Sequence, residues 1–337
     1  MPSLPPQISV ILIAHDRKEY LLQAMESLLN QTLPRVFYEV IVVKNFKDER
    51  IDNFLELNGF FGIFTHAREV GSKLAIGILH SQGDVITFLE DDDIFEAEKL
   101  ETILRYFSND PHLCFLHNSM SSINDSGGFI DFHSMKSITA VFKYNDSYLM
   151  TCKMFGIKPT DIIYTSCMSL RKMTLEPYIQ ALSKIQSAPD YFMVLAFLNY
   201  GCEGLHIPDK LTRYRVHESQ SIRLGSYDTF QKRNIDIRER WIKDYHLMAS
   251  TFQNKNVKDL AMFLTNYNNL FLLNMRKYRN VRMKFMALIA LFGQIQIVRF
   301  YEPLRLLFFT FGTILSPQAF LRLYYLFKLN KYSGNRK

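Results

Sequence analysis

Residues 87–95 read TFLEDDDIF, an apolar run that drives into four consecutive acids, Glu90, Asp91, Asp92 and Asp93. Adjacent like charges repel, so their position at the end of a strand-like run calls for something they hold in common. Converging carboxylates offer oxygen ligands that suit a hard divalent cation, Mn²⁺ or Mg²⁺, and such ions usually also bind substrate phosphates. Side chains alternate faces along extended backbone, so the carboxylates converge only where the chain turns. The Gly and the distant bidentate Glu of an EF-hand loop are missing, and glycoside-hydrolase carboxylates normally come from separate elements. A metal–diphosphate site is therefore the favoured reading. Asp93 also has a plainer one: with Glu96 three residues on, ahead of a helical run, it fits a capping box with Asp in place of Ser/Thr.

The elements that must carry these acids alternate. Residues 8–14 (ISVILIA) form a short continuous apolar run rich in β-branched residues, as expected of a strand covered on both faces. Tyr20, Leu21, Ala24, Leu28 and Leu29 follow at helical spacing. Strands are expected over 38–43, around 60–66, over 85–89 and over 112–117, with helices around 75–80 and 97–107 between them. Such alternation with short connections implies right-handed crossovers and a mostly parallel sheet with helices on both faces. Ligands in such sheets bind beyond the carboxyl ends of the strands, where the four acids stand. Further on, a strand is expected over 161–170, a helix over 190–200, short strands at LHIP and TRYRV, and helix after helix from Ser226, with turns near Asn254 and Pro303.

ISVILIAHDRKEYL, YEVIVV and GSKLAIGILHSQGDVITFLEDDD with the following EAEKL resemble, in order and spacing over residues 7 to about 107, the nucleotide-sugar-binding domain of inverting family 2 glycosyltransferases. The resemblance implies the GT-A fold, an α/β nucleotide-diphospho-sugar transferase architecture. It implies that the acidic motif, called D-x-D in this family, holds the nucleotide ribose and a Mn²⁺ or Mg²⁺ on the donor diphosphate. Carried over, Asp92 is the metal contact with Asp93 beside it, and Glu90 or Asp91 turns toward the ribose. The first loop, at the nucleotide, departs from the family: it carries Ala14-His15-Asp16-Arg17 where a Thr, an aromatic and Asn or Arg are often found, though His15 can still stack and Asp16 can still accept from a base N–H. SAPDYFMVLAFLNYG and LHIPDKLTRYRVHESQSI resemble the family's second half, which makes Asp190 the catalytic base and His217 a metal or phosphate neighbour. There are departures. The second strand ends in Lys44-Asn45 where the family typically has acids that grip the base, and Pro189 stands where it often has another acid. Lys73, just after Gly71, is either a positive charge near the phosphates or a solvated lysine.

The chain has 337 residues, with 48% hydrophobic and 14% aromatic content and a formal charge of +7. That is long enough for one large domain with an appendage, or for two domains. From residue 276 to 337 there are twelve Lys/Arg and one acid, Glu302, so the tail is basic and the remainder mildly acidic. A GT-A domain is expected over 1–225 (nucleotide-sugar half about 7–120, acceptor and catalytic half about 121–225), and a helical basic region over 226–337. Residues 286–298, 304–315 and 321–331 are strongly apolar with basic flanks but too short for a secure membrane span. Such segments suit an anionic membrane surface, or else packing against the domain or a partner chain, including a second copy in a homo-oligomer. The tail is too apolar for a nucleic-acid surface and lacks a recognition motif. Cys114, Cys152, Cys167 and Cys202 show no C-x-x-C spacing, so neither zinc nor a disulfide framework is expected and a reducing interior fits best. The N-terminus MPSLPPQ has no secretory pattern, so a cytoplasmic location is expected, peripheral on the inner face of the cell membrane.

These readings converge on transfer of a sugar from a UDP-, GDP- or dTDP-sugar to an acceptor hydroxyl on a glycan or lipid-linked acceptor, with inversion. A non-catalytic nucleotide-sugar-binding or scaffold subunit is the competing class, to which Lys44-Asn45 and Pro189 lend weight. A nucleotidyltransferase would need a glycine-rich N-terminal loop ending in Lys or Arg, and ILIAHDRKEY lacks the glycines.

Overall fold

The computed structural model describes residues 5–15, 18–131, 138–143, 148–155, 162–217 and 226–275, together with 312, 316, 318–319 and 321–326. It divides into two units, Met1–Val216 and His217–Lys337.

The first unit opens with β1 (Ile8–Ala14), every residue of which is buried. It continues through α1 (Leu21–Leu29), β2 (Tyr38–Lys44), α2 (Glu49–Leu57), β3 (Phe61–Phe64), α3 (Val70–His80) and β4 (Val85–Glu90). These four strands lie in the order β3-β2-β1-β4 and all pair in parallel. On one sheet face Val10, Leu12, Val40 and Val42 share a core with Leu21, Met25 and Leu28 of α1 and with Ile51 and Leu55 of α2. On the other, α3 comes so close that a Cβ at Gly77 would stand 2.5 Å from Ile11 Cγ2. β1 is thus covered on both sides, which is why it reads as an unbroken apolar run.

Beyond β4 the sheet becomes mixed. The chain runs through β5 (Ile94–Phe95), α4 (Lys99–Asn109), β6 (Leu113–Ile123), β7 (Phe129–Ile130), β8 (Ala140–Phe142), α5 (Tyr148–Phe155), β9 (Met168–Arg171), α6 (Ile179–Leu182), α7 (Pro189–Tyr200) and β10 (Glu203–Arg215). β9 inserts between β4 and β6 and is antiparallel to both, β10 runs parallel to β6, and β5 pairs antiparallel with β10. The strand expected over 161–170 is shortened to β9 by a 3-10 turn at Thr165–Cys167, and Asp161 lies outside the described residues. LHIP and TRYRV belong to one strand, β10, whose register to β6 shifts between Ile207 and Lys210. Pro208, which has no N–H to give a ladder, sits in that shift.

Cys114 and Cys202 form a disulfide, with Cα atoms 5.9 Å apart. The pair is 88 residues apart in sequence and comes together because β6 and β10 begin side by side, Glu203 opposite Leu113. This bond corrects the expectation of no disulfide, since no spacing rule on a single sequence shows such a contact.

The second unit contains α8 (Tyr227–Thr251), capped by Ser226 whose hydroxyl accepts from Thr229 N, and α9 (Lys255–Met275). Tyr245 and Met248 near the end of α8 and Phe252 just past it are buried, as are Leu260, Phe263, Leu264 and Tyr267 of α9. Between the two helices Arg238 donates to Asn268 Oδ1 at 2.5 Å and lies 3.4 Å from the Phe271 ring centroid. Segments 286–298 and 304–315 and the turn near Pro303 fall outside the described residues, apart from residue 312; of 321–331 only 321–326 are described, as helix. No helix among the described residues is long and apolar enough to cross a membrane.

Gly71, in the first turn of α3, meets the chain around α6: a Cβ there would lie 2.1 Å from the Leu182 carbonyl oxygen. Backbone cannot move aside as a side-chain tip can. Gly71→Ala is expected to lower stability by about 1–3 kcal/mol despite the better helix propensity of alanine, as read from denaturant midpoints; an unchanged midpoint would show that α3 and the Leu182 segment can part freely.

Candidate functional site

The parallel register brings three strand ends to one edge. Ala14 stands opposite Lys44, and Ile13 opposite Glu90. Past Glu90 the chain turns, with Asp93 N donating to the Glu90 carbonyl at 3.4 Å, and then leaves as β5. The turn resolves the alternation of strand side chains. Ligand oxygens of Glu90, Asp92 and Asp93 lie within 4.8 Å of one another. Asp91 faces elsewhere: its Oδ2 accepts from His15 N at 2.9 Å and so holds the loop after β1.

The capping-box reading of Asp93 is overturned. The next helix, α4, starts only at Lys99 with Glu98 at its N-cap, because Ile94 and Phe95 first pair with β10. Glu96 instead forms a two-bonded ion pair with Arg213, both contacts at 2.7 Å.

These carboxylates stand in a dry place. Asp91, Asp92 and Asp93 are buried and Glu90 is half-buried. Burial, followed by the charges of Asp92, Asp93, Asp91 and Asp190, pushes Glu90 well above the usual carboxylate range. Burial and Asp92 push Asp93 up to about 7, against the opposing pull of Ser166, the Arg215 N–H and Lys99. Asp190 is the last of these charges and so lies near enough to the turn to act on Glu90. Asp190 lies in the first turn of α7, half-buried, its Oδ1 accepting from Tyr191 N at 3.0 Å. Pro189 is there for a local reason: it occupies the first helical position, where a missing N–H costs nothing.

The remaining residues fall into place unevenly. The Lys73 ammonium is neither solvated nor open: it is 1% exposed, donates to the Ala14 carbonyl at 2.9 Å and lies 2.6 Å from His15 Nδ1. His15 itself is exposed at the rim. Lys44 is turned to Asp52 Oδ1 at 2.6 Å and donates to the Phe46 carbonyl at 2.9 Å. Asp16 and Arg17 lie outside the described residues. His217 is buried and opens the second unit.

Two cations not singled out in the sequence bear on the site. Lys99 is fully buried; its ammonium donates to the Ser166 carbonyl at 2.5 Å and to Thr212 Oγ1 at 2.8 Å, and burial lowers it to about 7. Arg215 is fully buried as well; its Nε donates to the Asp92 carbonyl at 2.8 Å and its backbone N to Asp93 Oδ1 at 3.0 Å. The signals were present, Lys99 in EAEKL and Arg215 two residues before His217, but burial is a tertiary property that neither motif states.

Three oxygen-only ligands drawn together, two of them buried and one half-buried, form a donor set that fits a hard divalent cation. The same facts fix a pH dependence. In chelator the folded chain keeps a proton on Asp93 up to about pH 7, whereas an unfolded Asp releases it near about pH 4. This contribution to stability is therefore full below about pH 4 and lost as pH rises through about 7. The thermal midpoint in EDTA should fall from about pH 5 to about pH 7.5, more steeply in wild type than in Asp93→Asn; equal slopes would mean that Asp93 is an ordinary solvated carboxylate.

Residues 9–176 match the family model described as Glycosyl transferase family 2. A protein of Rickettsia bellii (strain RML369-C) named "Uncharacterized glycosyltransferase" is 32% identical over 130 residues, which is 37% of this chain and 18% of that protein. One of the same name from Haemophilus influenzae (strain ATCC 51907 / DSM 11121 / KW20 / Rd) is 30% identical over 115 residues, 33% of this chain and 38% of that one. The chain thus spans well under half the length of these curated relatives. Among solved structures, S. aureus TarS 1-349 superposes with a TM-score of 0.60 at 14% identity, covering 97% of this chain and 92% of the other. The same protein in complex with UDP-GlcNAc gives 0.60 at 15% identity, covering 98% and 92%. At such identities the likeness speaks to the fold, which is GT-A.

Proposed function

Because the chain belongs to glycosyl transferase family 2 through residues 9–176, we propose that it transfers a sugar from a nucleotide-sugar donor to an acceptor hydroxyl with inversion. The observation that carries this is the converging acidic turn at the carboxyl edge of the parallel strands, near enough to Asp190 for its charge to act on Glu90. Glu90, Asp92 and Asp93 would hold a Mn²⁺ or Mg²⁺, which when bound supplies positive charge to the departing diphosphate. Asp190, at the mouth of α7, takes the proton of the acceptor hydroxyl. That oxygen attacks the anomeric carbon from the side opposite the diphosphate, so the new C–O bond forms as the old one breaks and the configuration inverts. His15, exposed at the rim of the loop that Asp91 and Lys73 fix, is the stacking surface for the base. His217 is carried as a phosphate neighbour on its R-V-H context.

The fold-level likeness to a protein crystallised with UDP-GlcNAc makes a UDP-sugar the first donor to try. The basic, apolar tail supports a glycan or lipid-linked acceptor at an anionic membrane surface, and thereby a peripheral location on its cytoplasmic face. The Lys44–Asp52 pair replaces a free acid at the second strand end, so base recognition departs from the family pattern.

Asp190→Asn keeps size and most hydrogen bonding but cannot accept a proton near neutral pH. Transfer should fall by roughly 100-fold or more while donor binding, read by calorimetry, persists; wild type that binds donor yet never turns it over would instead support a scaffold subunit. Full-length protein should co-sediment with anionic liposomes at low salt and be partly released by high salt, since each basic residue at such a surface contributes about 1 kcal/mol at most. Failure to co-sediment, with a monodisperse oligomer in detergent-free buffer, would make the tail an assembly element.

A further inference from the structure

We propose that Arg215 is the positioning residue of the acidic turn, a buried fork that fixes the turn's backbone from behind so that its carboxylates converge. This rests on the reading of that turn as a cation site. The guanidinium donates to backbone carbonyls of two separate turns: Nε to Asp92, and Nη1 to Asn124 at 3.0 Å and Asp125 at 2.9 Å. Nη2 donates to Gln23 Oε1 of α1 at 2.7 Å, and the plane lies 4.4 Å from the centroid of the Tyr20 ring. The Tyr20 hydroxyl in turn donates to Asp125 Oδ1 at 2.8 Å, so the same ring that floors the guanidinium also holds the second turn.

These contacts are to main-chain carbonyls, a side-chain amide oxygen and an aromatic face. This is the geometry of a brace rather than of a phosphate ligand. A planar fork with five donors in fixed directions can serve three segments at once; a lysine has three donors on a single rotating nitrogen and cannot. The positive charge also sits beneath acids that repel one another. The carboxylates themselves are thereby left to face the ligand, while the turn that presents them is held by its carbonyls.

The test uses the full chain and two variants, Arg215→Lys and Tyr20→Phe, each read two ways. Hydrogen exchange is followed in peptides covering residues 90–96 and 122–128, with α9 as control, and Mn²⁺ alone is titrated by electron paramagnetic resonance. In Arg215→Lys, exchange should rise in both turns together and not in α9, and Mn²⁺ affinity should weaken by roughly 10- to 100-fold, the usual effect of losing a residue that orients metal ligands. Tyr20→Phe, which loses only a hydroxyl, should move both readouts in the same direction by less, and it carries the test alone if Arg215→Lys does not fold. Wild-type protein that binds Mn²⁺ while the folded variants bind it equally well, with both turns exchanging as before, overturns the proposal only. Wild-type protein that takes up no Mn²⁺ overturns the cation reading of the turn and the proposal with it.

Discussion

Three carboxylates with ligand oxygens within 4.8 Å of one another, largely out of water, are the constraint around which the first unit is organised. Two unit charges at that separation repel by about 3 kcal/mol at an effective dielectric of about 20, more than the roughly 1 kcal/mol of a typical hydrogen bond. No single contact offsets this. The chain answers by letting Glu90 and Asp93 resist ionisation, by setting the Lys99 amine and the Arg215 guanidinium in buried positions nearby, and by turning Asp91 to the His15 backbone instead of to the cluster.

The scaffold makes such a site affordable by being stiff elsewhere. β1, β2 and β4 end level because they are parallel and in register, and they stay level because helices press on both faces. Gly71 and Gly77 allow α3 to approach α6 on one side and Ile11 on the other, which carries Lys73 to the Ala14 carbonyl. β10 then returns from the far side of the sheet to deliver Arg215 behind the acids. Residues 120 positions apart therefore form one electrostatic unit.

Much of this was legible in the sequence, and the limits are physical. Residues 8–14, 38–43 and 85–89 declared their strands because doubly covered strands are continuously apolar, and the motif from Gly71 to Asp93 declared the family. At Asp93 the alternative reading as a cap fails: an acid three residues before Glu96 looks like one, and only the pairing of Ile94 and Phe95 with β10 shows that no helix begins there. LHIP and TRYRV read as two short strands, whereas a register shift lets one strand continue past Pro208. Arg215 and Lys99 carry no mark of a role in the sequence. Their role depends on burial among carbonyls contributed by residues far away in the chain, which no local pattern encodes.

The central claim, that the acidic turn is a cation-dependent seat for a nucleotide diphosphate, is tested most directly by calorimetric titration of UDP-GlcNAc into the full-length protein, with Mn²⁺ and then with chelator. The account predicts a binding isotherm in Mn²⁺ that vanishes in chelator and is absent in both conditions for Asp92→Ala, whose fold is retained. Equal binding in chelator and in Mn²⁺, with Asp92→Ala indistinguishable from wild type, would contradict it.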